Sequence, residues 1–276
     1  MANVYEIVTD RIIKKLESGV IPWRKPWNSC GAVSWDTQRE YRGINAMLLD
    51  PGEYATFRAI TKAGGKVKKG AKSQIAVFWK MMDGTDSEGN PKQIPYMRYY
   101  SVFEINTQAE GLKSKRKDVE PHEHNPIQEA EEIKEGYRNC PPITFAPGKA
   151  FYVPSTDSIS VPEINDYDNP EEFYSTLFHE MTHSTGHKSR LHRSGILDIA
   201  AFGSETYSKE ELVAEIGAAM LCTVAGIDQS TFENSASYIS GWLRKLKGDS
   251  KLIVSAASQA QKAADHIRGI KGSYEA

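Results

Sequence analysis

The sequence predicts an α+β protein built of two domains. Residues 1–117 read as an α+β domain, residues 118–126 as a linker, and residues 127–276 as a mostly helical domain with a small antiparallel sheet. Three observations lead there. The chain has 276 residues, more than one small core needs. Its charge is divided: residues 1–117 hold 20 Lys+Arg and 12 Asp+Glu, a balance of +8, and the rest hold 14 and 24, a balance of −10. Strand-like segments cluster in the front half, and amphipathic helical patterns dominate the back half. The near-neutral total of −2 therefore hides a basic front half, suited to an anionic partner, and an acidic back half.

Along the front half, residues 4–17 carry an amphipathic helix pattern, with Ile12, Ile13 and Leu16 on the apolar side and Gly19 to end it. Ile21-Pro22-Trp23-Arg24-Lys25-Pro26-Trp27 is non-helical and pairs two tryptophans with two cations. Tyr41-Arg42-Gly43-Ile44-Asn45-Ala46-Met47-Leu48-Leu49 reads as a turn into a short helix, and Tyr54 to Ile60 as another helix. Gly64-Gly65-Lys66-Val67-Lys68-Lys69-Gly70 is a glycine-rich basic loop. Ile75 to Lys80 and Tyr96 to Ile105 are rich in β-branched and aromatic residues. They read as antiparallel strands joined by the polar loop from Asp83-Gly84 to Asn90-Pro91.

In the back half, residues 127–138 read as a helix. Ala150-Phe151-Tyr152-Val153 and Ile159-Ser160-Val161-Pro162 form a predicted hairpin with its turn at Ser155 to Ser158. A strand just before the next helix offers an edge to an extended peptide. Asn169-Pro170-Glu171-Glu172 carries helix-start signals: Asn169 as N-cap, Pro170 as first helical residue, Glu172 closing a capping box. Phe173, Leu177 and Met181 then recur at four-residue spacing, and Gly186 is placed to end the helix. Ser208 and Glu211 form a second capping-box pair, opening a helix over Tyr207 to Ile216. Ser230-Thr231-Phe232-Glu233 begins a further helix carrying Ile239, Trp242, Leu243 and Leu246, and a last one covers about 250–268.

The first of these back-half helices contains His179-Glu180-Met181-Thr182-His183, an HExxH motif. Residues four apart lie one turn apart on the same helix face, so His179 and His183 offer two imidazoles to one metal ion. Glu180 sits beside them as the candidate general base. A hydrolytic site needs a third protein ligand and an open position. A third histidine of the metzincin type would fall at Ser189, which excludes that pattern, and His187 reads as an outer or surface residue. Glu215, set among Leu212, Ile216, Ala219 and Met220, is the preferred third ligand, because a carboxylate among core residues is costly unless paired. Glu211, one turn earlier on the same face, is the alternative, and the one not bound to metal orients a histidine from outside. Tyr207 is a candidate oxyanion donor. The expected ion is Zn2+, with Mn2+ as another divalent option.

The front half combines what single-stranded DNA binding needs, cations for phosphates and flat rings for bases. Candidate contacts are Trp23, Arg24, Lys25, Trp27, Arg42, Asn45, Lys62, Lys66, Lys68, Lys69, Lys72 and Trp79. The lysine loop has no Walker pattern, so nucleoside triphosphate binding is not supported. Two-metal phosphoryl chemistry wants clustered carboxylates, and the front half has none, which argues against a nuclease or primase. Cys30, Cys140 and Cys222 are too scattered for a disulfide framework or a CxxC metal site. With no signal-peptide pattern and no membrane-spanning apolar run, a cytoplasmic protein with no membrane partner is expected.

With both halves read, the chain resembles the ArdC family of antirestriction proteins, found on conjugative plasmids and related mobile elements. Its front region is also similar to that of the plasmid TraC primases. In the front half the resemblance rests on Ile21 to Trp27, Tyr41-Arg42-Gly43-Ile44-Asn45, Gly65 to Gly70 and Val102-Phe103. In the back half it rests on His179 to His187, Arg190-Leu191 and Glu210 to Glu215. At Phe103-Glu104-Ile105-Asn106 the chain departs from an expected Phe-Asn. The resemblance implies an N-terminal single-stranded DNA-binding domain and a C-terminal zincin-like metallopeptidase domain acting on a protein or peptide. It further implies protection of incoming mobile-element DNA from host restriction.

Overall fold

The structure is a computed structural model of the chain and describes residues 3–23, 31–85, 90–116, 126–197, 205–228 and 236–270. Packing divides the chain into two units: Met1–Ile12 with Cys30–Glu120, and Ile13–Ser29 with Pro121–Ala276. The first helix, α1 (Val4–Glu17), is thus shared between them. Helices and sheets are mixed as expected for an α+β protein.

In the first unit the elements run β1 (Ala32–Ser34), α2 (Ile44–Leu48), β2 (Gly52–Thr56), α3 (Phe57–Lys62), β3 (Lys66–Val67), β4 (Gln74–Thr85), β5 (Pro91–Glu104), α4 (Ile105–Gln108) and β6 (Ala109–Glu110). The sheet order is β1-β2-β5-β4, with β1 parallel to β2 and the other pairs antiparallel, while β3 and β6 form a separate short ribbon. The helix expected over Tyr54 to Ile60 is corrected by this sheet. Tyr54 and Ala55 are buried in two different clusters, Tyr54 with Ala32, Leu49, Ala76 and Val102, and Ala55 with Trp35, Ile60, Ile105 and Ala109. Alternate residues of a strand face opposite sides, so β2 serves both clusters and its sheet pairing overrides the local helical pattern. Only at Thr56 does the helix begin, with the Ala59 amide donating to Thr56 Oγ1 at 3.2 Å. The departure at Glu104 has a local role as well: Glu104 caps α4, accepting from the Thr107 amide at 2.7 Å.

Lys113 to Arg116, the basic run before the predicted linker, is held against the first unit. The Trp35 indole donates to the Lys113 carbonyl at 2.8 Å, and the Lys115 amide donates to Glu53 Oε1 at 3.1 Å. Residues 117–125, which include nearly all of that linker, lie outside the described residues.

In the second unit the order is α5 (Pro126–Gly136), β7 (Ile143–Phe145), β8 (Phe151–Val153), β9 (Ser158–Val161), α6 (Pro170–Ser184), α7 (Ser194–Leu197), α8 (Glu205–Val224), α9 (Ala236–Gly248) and α10 (Leu252–Ile267). The predicted hairpin is β8 and β9, but β7 adds a parallel strand and the order is β7-β9-β8. The sheet is therefore mixed rather than antiparallel. The strand nearest α6 in sequence is the central one, which removes it as an edge for a peptide. Phe173, Leu177, Phe178 and Met181 of α6 pack with Ala218, Leu221 and Cys222 of α8 and with Ala264 and Ile267 of α10.

α6 starts where its signals place it. The Glu172 amide donates to Asn169 Oδ1 at 2.9 Å, and Asn169 Nδ2 donates to Glu172 Oε1 at 3.0 Å. α8 differs: it begins at Glu205, so Ser208 lies inside it and the expected Ser208–Glu211 capping pair is corrected. The N-cap expected at Ser230 lies outside the described residues. α8 comes so close to α6 that a Cβ on Gly217 would lie 2.5 Å from Thr182 Cγ2 and 2.8 Å from Thr182 Oγ1. Gly217→Ala is therefore expected to destabilise the chain by about 1–3 kcal/mol through overpacking. Adding Thr182→Ala, which removes both clashing atoms, recovers part of that loss in a denaturant titration.

Candidate metal centre

The HExxH turn of α6 sets His179 and His183 on one face, with their Nε2 atoms 3.1 Å apart. α8 brings Glu211 over them: its Oε2 is 3.7 Å from His179 Nε2 and its Oε1 is 3.5 Å from His183 Nε2. Donor atoms of His179, His183 and Glu211 all lie within 4.8 Å of one another. Glu180 is buried beside them with 7% exposure.

This geometry moves the third donor from Glu215 to Glu211. With α8 starting a turn before the presumed cap, Glu211 is released from capping and faces the histidines. Glu215 instead accepts a hydrogen bond from the Tyr238 hydroxyl of α9 at 3.0 Å. His187 lies past the end of α6, where its Nδ1 is 2.8 Å from Ser189 Oγ and 3.6 Å from Asp157 Oδ2. Tyr207 falls within α8, but its side chain is outside the described residues.

The outer carboxylate expected beside a histidine is neither Glu211 nor Glu215 but Glu210, which the sequence reading did not single out. His183 Nδ1 is 3.3 Å from Glu210 Oε1. Glu210 in turn receives two hydrogen bonds from the buried Arg193, Nε to Oε2 at 3.0 Å and Nη2 to Oε1 at 2.6 Å. Arg193 also donates from Nη2 to the Thr182 carbonyl at 2.8 Å, binding the end of α6 to the start of α8. Gly186 makes room for it: a Cβ there would sit 3.0 Å from Arg193 Nη2 and 2.5 Å from Ile196 Cγ1. The helix ends at Ser184 with Thr185 as its C-cap, so Gly186 falls just past the end as expected and also permits this close packing. A carboxylate adjacent to a ligand in sequence was the only available signal for Glu210. Nothing local marks Arg193, which lies in the irregular chain between α6 and α7.

Burial works against a charged His183. Hydrogen bonds to Glu210 and Glu211, and the charges of Glu210 and Glu180, nonetheless raise it to about 10. Burial likewise opposes ionisation of Glu211 and Glu210, yet His179 and His183 hold Glu211 far below the usual carboxylate range, and His183 and Arg193 hold Glu210 down. The site is thus built to surround positive charge with carboxylate oxygen. Two imidazoles and one carboxylate are the donor chemistry of a hydrolytic divalent site, and side-chain exposures of 20% at His179 and 28% at Glu211 leave solvent access. The residues present therefore fit a divalent ion.

In the front half the expected contact residues separate. Trp23 is buried at 3% exposure within the second unit, edge-on to Trp242 at 6.2 Å, with its indole donating to the Tyr238 hydroxyl at 3.4 Å. That packing corrects its assignment to a DNA surface. Asn45 is also taken up structurally: Nδ2 donates to the Val77 carbonyl at 2.8 Å, and Oδ1 accepts from the Val77 amide at 2.7 Å. Lys62, Lys66, Lys68, Lys69 and Lys72 are exposed, with Lys68 Nζ donating to the Thr107 carbonyl at 2.9 Å. Trp79 is 46% exposed and Arg42 half-buried. Arg24, Lys25 and Trp27 lie outside the described residues. Among the described residues no helix is long and apolar enough to cross a membrane.

Glu210 lies on the Nδ1 side of His183, while Nε2 faces His179 and Glu211, so Glu210→Gln is expected to weaken divalent-metal affinity by about 10–100-fold. Competition against a fluorescent chelator measures this, with circular dichroism confirming an intact fold.

Comparison with known proteins places this geometry. A family profile described as zincin-like metallopeptidase matches residues 140–259, and one described as the N-terminal domain of anti-restriction factor ArdC matches residues 2–103. The chain is 34% identical to the antirestriction protein ArdC of plasmid R388, and 98% of each chain is covered at a TM-score of 0.73, for both its metal-free and its Mn(II)-bound crystal structures. Over 290 residues it is 31% identical to the uncharacterized protein y4eC of Sinorhizobium fredii (strain NBRC 101917 / NGR234), covering 95% of this chain and 91% of that one. It is 32% identical over 292 residues to the DNA primase TraC of Escherichia coli, but spans only 20% of that protein's length. From the two profiles in this order, and from the end-to-end likeness to the R388 protein, the chain belongs to the ArdC family of antirestriction proteins.

Proposed function

We propose that this chain protects incoming mobile-element DNA from restriction, binding single-stranded DNA through its first domain and carrying a metal-dependent peptidase site in its second. The observation that carries the second half of this reading is the convergence of His179, His183 and Glu211 beside the buried Glu180. Zinc is the proposed ion, and the existence of a Mn(II)-bound structure of the R388 relative supports a divalent metal. When bound, such an ion polarises a peptide carbonyl and acidifies water. Glu180 takes the proton of the attacking water and delivers it to the leaving amine nitrogen. Glu211, with its partial exposure, holds the ion from α8, and Glu210 keeps His183 turned so that Nε2 faces the centre. Tyr207 is retained as a candidate oxyanion donor at the start of α8.

A second reading makes the ion purely structural and the chain a DNA-shielding protein. Structural zinc sites are closed by four protein ligands. Three donors converge among the described residues, with solvent access, and this favours the hydrolytic reading. A cytoplasmic setting during plasmid transfer is consistent with both.

Glu180→Gln is expected to retain the metal, lose peptide cleavage by 10²-fold or more, and lower protection in a plasmid-transfer assay. Undiminished cleavage by this variant would remove Glu180 from the mechanism, while undiminished protection would assign antirestriction to DNA binding alone. Glu211→Ala is expected to lose metal in elemental analysis and Glu215→Ala to keep it; the reverse pattern would restore Glu215 as the ligand.

A further inference from the structure

β4 and β5 extend far beyond the sheet that roots them. β2 pairs with β5 only over Val102 to Glu104, whereas β4 pairs with β5 along its whole length. Beyond Val102 the two strands therefore form a two-stranded ribbon. Burial changes abruptly at its base. Ile75, Ala76 and Val77 are buried, but Phe78 is 48%, Trp79 46%, Tyr99 46% and Tyr100 37% exposed. The register pairs Ala76 with Tyr100, Val77 with Tyr99, Phe78 with Arg98 and Trp79 with Met97, so Phe78 is the diagonal neighbour of Tyr100 and Trp79 that of Tyr99. Strand alternation places Phe78, Arg98 and Tyr100 on one face and Trp79 and Tyr99 on the other. Exposed apolar side chains scattered singly need no explanation, but a neighbouring pair of exposed rings on each face marks a binding surface.

The base of this ribbon is held in place. Asn45 bonds both the amide and the carbonyl of Val77. Charge names the ligand. Residues 54–82 hold seven Lys and Arg and no Asp or Glu. Lys80 and Arg98 are exposed among the rings, with the Arg98 guanidinium 4.9 Å from the centroid of Tyr96. A second copy of the chain would bring like charges together. A polyanion with free aromatic faces satisfies both features at once, and only a single-stranded nucleic acid has both, since a duplex buries its base faces.

Resting on the DNA-binding reading above, we propose that the β4–β5 ribbon is the platform on which bases stack, on Phe78 and Tyr100 from one face and Trp79 and Tyr99 from the other, with Lys80 and Arg98 meeting phosphates. Trp23, buried in the second unit, is not part of it.

The test uses the full chain and a fluorescein-labelled thymidine 30-mer, single-stranded or annealed, followed by anisotropy across a salt series. The wild type is expected to prefer the single strand. Phe78→Ala, Trp79→Ala and Tyr99→Ala, all at exposed positions, are each expected to weaken it by about 10-fold or more without changing the salt slope. Lys80→Gln and Arg98→Gln are each expected to lower that slope by about one. Aromatic variants that bind like the wild type, when the wild type does bind, overturn the ribbon platform and leave the DNA-binding reading standing. A wild type that binds neither strand overturns both. Loss of a dimer in the aromatic variants by light scattering, with DNA binding intact, reassigns the ribbon to self-association and overturns the platform.

Discussion

Gly217 has no side chain, so α8 can lie directly against Thr182 of α6. Thr182 is the residue before His183, and Glu211 lies less than two turns before Gly217. The contact therefore sets the depth at which the Glu211 carboxylate meets the two imidazoles. Below it, Met181 and Leu177 of α6 share one buried cluster with Ala218, Leu221 and Cys222 of α8, so the apolar packing and the donor geometry are one arrangement. A metal site of this type tolerates little looseness, and close-packed helices supply the rigidity.

Arg193 is the electrostatic counterpart of that contact. A buried guanidinium is costly unless its donors find acceptors. Here it reaches both oxygens of Glu210, the Thr182 carbonyl and the Thr185 hydroxyl. Satisfied in this way, it holds Glu210 ionised against His183 Nδ1 and leaves His183 Nε2 for the centre. Arg190 does similar work for the chain just past α6, donating to Ser184 O at 2.8 Å and pairing with Asp157 in the β8–β9 turn. The irregular segment after α6 is therefore tied both to the metal helix and to the small sheet.

The front half follows a different logic. Tyr54 and Ala55 of β2 serve two separate buried clusters, and exposed aromatic residues run out along β4 and β5. Aromatic rings there divide by register rather than by residue type. Tyr54, in the sheet, is buried and Phe103 partly buried, whereas Phe78, Trp79, Tyr99 and Tyr100 on the two-stranded extension are exposed.

Local signals determined a good deal of this protein. Asn169, Pro170 and Glu172 specified the start of α6, because capping is a contact between residues three apart. The four-residue spacing of His179 and His183 determined that their rings share a face, since helix geometry leaves no alternative. The pairing of β4 with β5 was legible in two β-branched, aromatic runs. Other features were decided only by tertiary structure. Glu211 and Glu215 are one turn apart, and the sequence favoured Glu215 for its apolar neighbours; the fold instead brings Glu211 to the histidines, while Tyr238, from another helix, engages Glu215. Tyr54 and Ala55 became strand because β1 and β5 flank them. Trp23 looked like a stacking residue beside two cations, and the second unit buried it against Trp242. In each case the deciding contact joins residues far apart in sequence, which no local pattern encodes.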